Sequence, residues 1–162
     1  MLLQQALQAQ QANEQHLDAM HQQFLEYYAA NIAVGSLVYP TVRQALARLR
    51  QRGAKLAVVT NKNEALSRIL LTELAMLDDF DLLVGGDTAA TPKPDAAPAA
   101  YACAQLGLQA KDVLFVGDST TDVGCARNFG CPVVCVSYGY SQGTPATELG
   151  ADGVIESFAE LV

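Results

Sequence analysis

The sequence predicts an α/β protein built on a doubly wound parallel sheet. From Pro40 onward, short apolar runs alternate with longer helical patterns. Strands that alternate with helices in this way favour a parallel sheet with right-handed crossovers. The chain has 162 residues, of which 51% are hydrophobic, so it can bury a substantial core within about one domain.

The first half of the alternation is read from its turn residues. PTVRQALARLRQRG predicts a helix that is opened by Pro40 and Thr41 and closed by Gly53. The apolar run KLAVVT predicts a buried strand, and NEALSRILLTELAML predicts a helix. DFDLLVGGD predicts a second strand that runs into glycines.

The second half continues the same pattern. KPDAAPAAYACAQLG predicts a helix that is opened by Pro94 and stopped by Gly107. The third strand is predicted at DVLFVGD, the next helix at TTDVGCARNFG, and the fourth strand at CPVVCVSYG. A short fifth strand is predicted at DGVIES, before a final turn.

Residues 1–34 differ from the rest, because they are rich in Gln and Ala and contain neither Gly nor Pro. One or two helices are predicted here. Apolar residues recur at helical spacing, which predicts a packing face rather than a binding surface. These residues are Leu17, Met20, Phe24 and Tyr28. The expected organisation is therefore a helical segment over 1–37 and the alternating domain over 38–162.

Charge and cysteine usage exclude several classes of function. The net charge of −7 offers no long-range attraction to nucleic acid or to an anionic membrane. No apolar run is long enough to span a membrane, and the N-terminus lacks a signal-peptide pattern. The sequence contains no C-x-x-C pair, so a zinc site is not expected. Buried free thiols are expected of Cys131 and Cys135, which flank an apolar run. The cysteine usage fits a reducing cytoplasm, and the four residues are Cys103, Cys125, Cys131 and Cys135.

The segment GDSTTDV at 117–123 predicts a metal site. It places Asp118 at the carboxyl end of the third strand and Asp122 on the opening turn of the next helix. Ligands of open α/β sheets bind outside the carboxyl ends of the strands. Two converging carboxylates repel each other unless a cation or a shared proton compensates. Mg²⁺ suits such oxygen ligands, and it also binds substrate phosphate oxygens.

Two other strand ends carry polar residues, each with two readings. Thr60 and Asn61 follow a strand and precede a helix, so they form either a phosphate cradle or an ordinary helix cap. Lys93 lies between Pro92 and Pro94, where it either holds phosphoryl oxygens or is simply exposed. The order of hydroxyl, lysine and aspartate pair along the chain argues against a receiver-type signalling domain, whose acidic residues come first.

These segments resemble the haloacid dehalogenase-like phosphatases, and within them the phosphoglycolate phosphatase branch. The likeness covers about residues 38–160 and is carried by LAVVTNK, VGGDTAATPKPDAAP, VLFVGDSTTDVGCARNFGCP and VSYGYSQG. The resemblance implies that Thr60 and Asn61 bind the phosphoryl group and that Lys93 stabilises its charge. It also implies that Asp118 is a Mg²⁺ ligand, with Asp122 completing or orienting the metal shell. The implied substrate is 2-phosphoglycolate or a similar small phosphorylated metabolite.

The sequence departs from the family at its first motif. That motif is an apolar strand ending in Asp-x-Asp-Gly-Thr, whose first Asp attacks phosphorus, and no such segment occurs here. The carboxylates before Thr60 are only Glu14, Asp18 and Glu26. Without a nucleophile, covalent catalysis is not possible, so this chain is expected to be inactive. We expect upstream sequence to encode the motif. The alternative is a non-catalytic protein that binds phosphate or Mg²⁺, or an interaction module completed by a partner.

The missing motif also predicts a gap in the sheet. In the family, that strand lies between the strand ending at Thr60 and the strand ending at Gly117. The two strands could close on each other, IAVGSLVY at 32–39 could fill the gap, or a second copy or partner chain could complete the sheet. By the same resemblance, residues 1–37 look like the last part of the family's helical cap, and 38–162 like its phosphatase core.

Overall fold

The computed structural model describes residues 17–141 and 143–162 of the chain. The chain divides into two compact units at Ser36 and Leu37. The first unit contains helix α1 (Leu17–Ala30), followed by turns through residue 35. Any helix predicted before residue 17 lies outside the described residues.

The predicted packing face of α1 is not confirmed. Met20 is 43% exposed and Phe24 is 50% exposed. The ring of Phe24 instead stacks on that of Tyr28, one turn later, with 5.9 Å between their centroids. Helical spacing thus brings these aromatic residues together without burying them.

The second unit contains the predicted alternation of strands and helices. Its strands are β1 (Ala57–Val59), β2 (Leu82–Val84), β3 (Phe115–Gly117), β4 (Val133–Val136) and β5 (Gly153–Ile155). Its longer helices are α2 (Val42–Gln51), α3 (Glu64–Glu73), α4 (Ala97–Leu106) and α5 (Thr120–Phe129). Each strand lies within the segment predicted for it, and every pairing is parallel.

The strands form two separate sheets. One sheet pairs β1 with β2, and the other has the order β3-β4-β5. In the first, Ala57 lies opposite Leu82, and in the second, Phe115 lies opposite Val133. The sheet is therefore interrupted between β1 and β3, where a strand was predicted to be missing. The two strands do not close on each other, and residues 31–39 form turns and irregular backbone instead of filling the gap.

The hydrogen-bond pattern shows which backbone groups face this gap. Thr60 N–H donates to the Val84 carbonyl, so alternation along the strand turns the backbone groups of Ala57 and Val59 away from β2. Phe115 N–H donates to the Pro132 carbonyl, so Val116 faces away from β4. No strand within the described ranges pairs with these inner edges.

Two helices that pack against each other connect the two-stranded sheet with the three-stranded sheet. Helix α4 packs on β1 and β2, α5 packs on β3 and β4, and the two helices pack against each other. Helix α4 does not begin at Pro94 as predicted. It begins at Ala97, whose N–H is accepted by the Asp95 side chain at 2.8 Å, with Pro98 in the first turn. The segment around Lys93 is therefore a loop in front of the helix.

The main apolar core lies between the second sheet and its helices. It includes Val123, Ala126, Val133 and Leu149. All four cysteines are free and buried, which was predicted for Cys131 and Cys135. Burial raises the pKa of each thiol above its ordinary value. Within residues 17–141 and 143–162, no helix is long and apolar enough to cross a membrane.

Candidate functional site

The aspartate pair lies at the carboxyl end of β3. Asp118 follows the last strand residue, and Asp122 lies in the first turn of α5. Between them, Ser119 is the N-cap of α5, and its hydroxyl accepts a hydrogen bond from Asp122 N–H at 3.3 Å. The same hydroxyl donates to Asp122 Oδ2 at 2.6 Å. The cap thus fixes the Asp122 carboxylate toward the strand end.

Asp122 is buried, and both of its carboxylate oxygens accept hydrogen bonds. Its side chain is only 8% exposed. Oδ1 accepts from Lys93 Nζ at 2.6 Å, and Oδ2 accepts from Ser119 and from Asp118 N–H. Burial by itself would raise the pKa of Asp122, but the hydrogen bonds and the charge of Lys93 outweigh it and hold that pKa below its usual value. Asp122 is therefore a buried carboxylate anion.

The ammonium of Lys93 lies at the junction of the two sheets. Its side chain is 10% exposed, and Nζ donates to the Val59 carbonyl at 2.8 Å as well as to Asp122. Nζ also lies 5.8 Å from the ring centroid of Phe115, over its face. Because the Val59 carbonyl faces the gap beside β1, Lys93 satisfies a backbone group that no strand of the described ranges pairs with. The alternative of a simply exposed lysine is excluded.

Close approach around the aspartates requires glycine at two positions. A Cβ atom on Gly117 would overlap the Asp122 side chain, and a Cβ atom on Gly139 would overlap the Asp118 side chain. The chain after β4 therefore lies directly against Asp118, and Tyr140 N–H donates to Asp118 Oδ2 at 2.8 Å. The Asp118 carboxylate is thus oriented by the Tyr140 N–H.

Thr60 and Asn61 lie at the carboxyl end of β1, beside Lys93. The Thr60 hydroxyl accepts from Lys62 N–H at 3.1 Å. The Asn61 side chain is directed to the main chain of Lys93, donating to its carbonyl at 2.9 Å and accepting from its N–H at 2.8 Å. Neither residue caps α3, since Asn63 does so by accepting from Leu66 N–H. The helix-cap reading of Thr60 and Asn61 is therefore wrong.

The donor set suits a metal held by one carboxylate. Asp122 has both oxygens committed, whereas no hydrogen bond to Asp118 Oδ1 occurs among the residues that the structure describes. Within that part of the chain, no group of three His, Cys, Asp or Glu side chains converges as a complete metal site. Mg²⁺ commonly uses one or two carboxylates together with water and phosphate oxygens. The residues therefore fit Mg²⁺ bound through Asp118, with Asp122 in the orienting role.

Several contributors were not predicted from the sequence. Ser119 could have been found, because a serine three residues before an acidic residue at a helix start is a capping pattern. The Val59 carbonyl and the Tyr140 N–H carry no sequence signal, since any residue provides these groups. The use of the Asn61 side chain was also missed, because its partner is 32 residues away.

The comparisons with known proteins give the family. The model of the haloacid dehalogenase-like hydrolases matches residues 2–136, which is most of the chain. The chain belongs to this family. It is 42% identical over 138 residues to the phosphoglycolate phosphatase of Chromobacterium violaceum and 43% identical over 153 residues to that of Rhodospirillum rubrum. The resemblance drawn from the motifs is thereby confirmed.

These matches cover more of this chain than of its relatives. They include 85% and 94% of this chain, but only 61% and 63% of the two relatives. The chain thus spans less than two thirds of their length. The crystal structure of a predicted phosphoglycolate phosphatase from Haemophilus somnus superimposes with a TM-score of 0.89 and 34% identity, over 98% of this chain and 72% of that one. The Rossmann-like fold class predicted from the sequence is confirmed.

Proposed function

We propose that this chain provides the phosphate- and metal-binding part of a phosphomonoester hydrolase of the phosphoglycolate phosphatase type. The observation that carries the proposal is the Lys93–Asp122 contact of 2.6 Å at the ends of β1 and β3, with Thr60 and Asp118 beside it. Three sequence segments far apart in the chain supply these groups. The relatives named phosphoglycolate phosphatase point to 2-phosphoglycolate or a similar small phosphate ester as substrate.

Each residue has a role in this proposal. The Thr60 hydroxyl and the Asn61 N–H bind the phosphoryl oxygens, and the Lys93 ammonium stabilises the negative charge that develops on them. Asp118 holds Mg²⁺, and Asp122 orients both Lys93 and the Asp118 backbone. Bound Mg²⁺ would neutralise the charge of the phosphate and help to orient it. The buried free thiols are consistent with action in the cytoplasm.

This chain alone is not expected to turn over substrate. The family's Asp-x-Asp-Gly-Thr motif is absent from the sequence. Lys93 and Asp122 bind each other and stabilise charge, but neither is placed to attack phosphorus and then be released. Binding without hydrolysis is therefore the proposed behaviour of these residues by themselves.

Two measurements test the proposal. Titration calorimetry should show Mg²⁺ binding that Asp118→Asn abolishes, whereas Asp81→Asn should leave it unchanged. The control removes the same charge from a carboxylate in front of β2, at the opposite end of the strands from the site. A Mg²⁺-dependent assay on 2-phosphoglycolate should show no turnover above the Asp118→Asn background. Mg²⁺ binding that survives Asp118→Asn would refute the assigned site, and turnover abolished by that substitution would refute the need for the absent nucleophile.

A second candidate function is an interaction module that a partner strand completes, and the open inner edges of β1 and β3 favour it. The backbone groups of Ala57 and Val116 face the gap without a strand partner among the described residues. Unpaired edges of apolar parallel strands are ready templates for another strand. The occupant would be an apolar extended segment, parallel to both edges, from a partner chain or a second copy.

Light scattering and peptide capture, each with two proline substitutions, test this candidate. Val116→Pro removes an N–H that faces the gap but leaves the Phe115 N–H bond to Pro132, so it should weaken association without breaking the β3–β4 pair. Phe115→Pro removes the bond within the sheet and should destabilise the fold instead. A strict monomer at all concentrations would count against completion by a second copy. If the Val116→Pro variant captures an extended apolar peptide as strongly as the unsubstituted chain does, the inner edge of β3 is not the binding edge.

A further inference from the structure

The Asn61 side chain pairs with the main chain of Lys93 as a peptide group would. Its Nδ2 donates to the Lys93 carbonyl at 2.9 Å, and its Oδ1 accepts from the Lys93 N–H at 2.8 Å. A side-chain amide presents a donor and an acceptor side by side, so it can engage both polar groups of one residue at once. This pairing fixes the orientation of the Asn61 side chain and the position of the Lys93 main chain together.

A second asparagine holds the same loop from the other half of the sheet. Asn128 lies on α5, and its Nδ2 donates to the Pro94 carbonyl at 2.9 Å. The loop is thus held from the β1 side by Asn61 and from the β3 side by Asn128. The two sheets share no strand pairing among the described residues, and this loop is a polar connection between them.

The position of the Lys93 ammonium depends on that loop. A lysine side chain is a flexible four-carbon stem, so its main chain must be placed before its charge can be. Nζ bonds to Val59 on one side and Asp122 on the other. Displacement of the Lys93 main chain would move Nζ relative to these two acceptors, which it contacts at 2.8 and 2.6 Å.

We infer that Asn61 and Asn128 are positioning residues for Lys93, and that the Asn61 side chain serves this role instead of binding the phosphoryl group. The inference deepens the proposed function, on which its consequence for phosphate binding rests. The contacts themselves are made in the free chain. Their effect on Lys93 is therefore measurable without Mg²⁺ or a phosphate ester.

The test is the reactivity of the lysine amines toward an amine-labelling reagent, measured by mass spectrometry on the intact chain. In the unsubstituted chain, Lys93 should label slowly and Lys55, whose side chain is 56% exposed, should label fast and serve as the internal standard. Asn61→Ala should accelerate the labelling of Lys93 about tenfold, which corresponds to the loss of two neutral hydrogen bonds. Asn128→Ala should give a smaller acceleration, since it removes one.

The matched control is Asn63→Ala. Asn63 caps α3 and contacts Asp87, but it makes no contact with Lys93. Its loss should lower thermal stability and leave the labelling ratio of Lys93 to Lys55 unchanged. An unchanged ratio with both Asn61→Ala and Asn128→Ala would overturn the inference, as would equal acceleration with Asn63→Ala, which would indicate general opening. Because labelling needs no ligand, its failure and a failure of Mg²⁺ binding are separately visible.

Discussion

Removal of the Lys93 ammonium should expose the energetic consequence of burying Asp122. In Lys93→Met, the stem is replaced by a side chain of similar shape without charge. The Asp122 carboxylate, 8% exposed, would keep its bonds to Ser119 and to Asp118 N–H but lose its counter-ion. Loss of one partner from a buried ion pair costs about 3 kcal/mol or more, because a charge remains buried without compensation.

The expected loss is therefore about 3 kcal/mol in the free energy of unfolding at pH 7. For a chain of this length that corresponds to a fall of roughly 6–12 °C in the melting temperature. The matched control is Lys55→Met. Lys55 pairs with Asp81 at 3.5 Å, and the side chains are 56% and 27% exposed, so its loss should cost less than about 1 kcal/mol.

The pH dependence of the free energy of unfolding provides a second test of the same ion pair. In the unsubstituted protein the pKa of Asp122 is lowered on folding, so its contribution is present above the unfolded pKa and is lost as the pH falls through the folded pKa. In Lys93→Met, burial is no longer opposed by the lysine and should raise the pKa of Asp122 above its unfolded value. The variant then loses stability as the pH rises. The difference between the two proteins should be largest near pH 7 and narrow on acidification.

Urea unfolding followed by circular dichroism at pH 7.5 and pH 5 provides the assay. The reasoning fails if Lys93→Met is no less stable than Lys55→Met at pH 7.5. It also fails if the stability difference from the unsubstituted chain grows on acidification. A double variant, Lys93→Met with Asp122→Leu, should recover part of the loss, because the uncompensated charge is then absent.

Three further outcomes are expected. Ser119→Ala should lower the free energy of unfolding by about 1–2 kcal/mol, measured by urea titration, since it removes both the cap of α5 and a donor to Asp122; a neutral result would show that the cap is replaceable. Gly117→Ala should cost about 1–3 kcal/mol in the same titration, because its methyl group would overlap the Asp122 side chain, and full stability would mean that the strand end yields easily. The four thiols, buried and with raised pKa values, should react slowly with a disulfide reagent in the native state and rapidly in urea; fast native reaction would contradict their burial.

Much of the fold could be predicted because its strands are short apolar runs between helices with clear end signals. Gly53 and Gly107 end their helices in the left-handed conformation, as their position after the periodic residues indicated. The start of α4 was misplaced because three prolines compete for that role. In the structure the helix begins at Ala97, whose N–H donates to the Asp95 side chain, so Pro94 belongs to the loop.

The candidate site was also only partly predictable from the sequence. Thr60, Lys93 and Asp122 could be brought together from the sequence, because each follows or precedes a strand end and parallel strands share that edge. The Lys93 contact with the Val59 carbonyl could not be predicted from the sequence, because it depends on a gap in the sheet and on a backbone group that every residue has. The direction of the Asn61 side chain was equally hidden, because a cap and a long-range pairing use the same amide.

The interruption between β1 and β3 also governs how the folded chain exchanges its amide protons with water. Strand β4 has a neighbour on both sides, and Val133 and Cys135 are fully buried. Within residues 17–141 and 143–162, strand β1 has a neighbour on one side only, and each of its residues is partly exposed. Among the described residues, opening of the two-stranded half breaks side-chain hydrogen bonds to the three-stranded half but no strand pairing with it. We therefore expect amide exchange to be slowest around β4 and faster in β1 and β2.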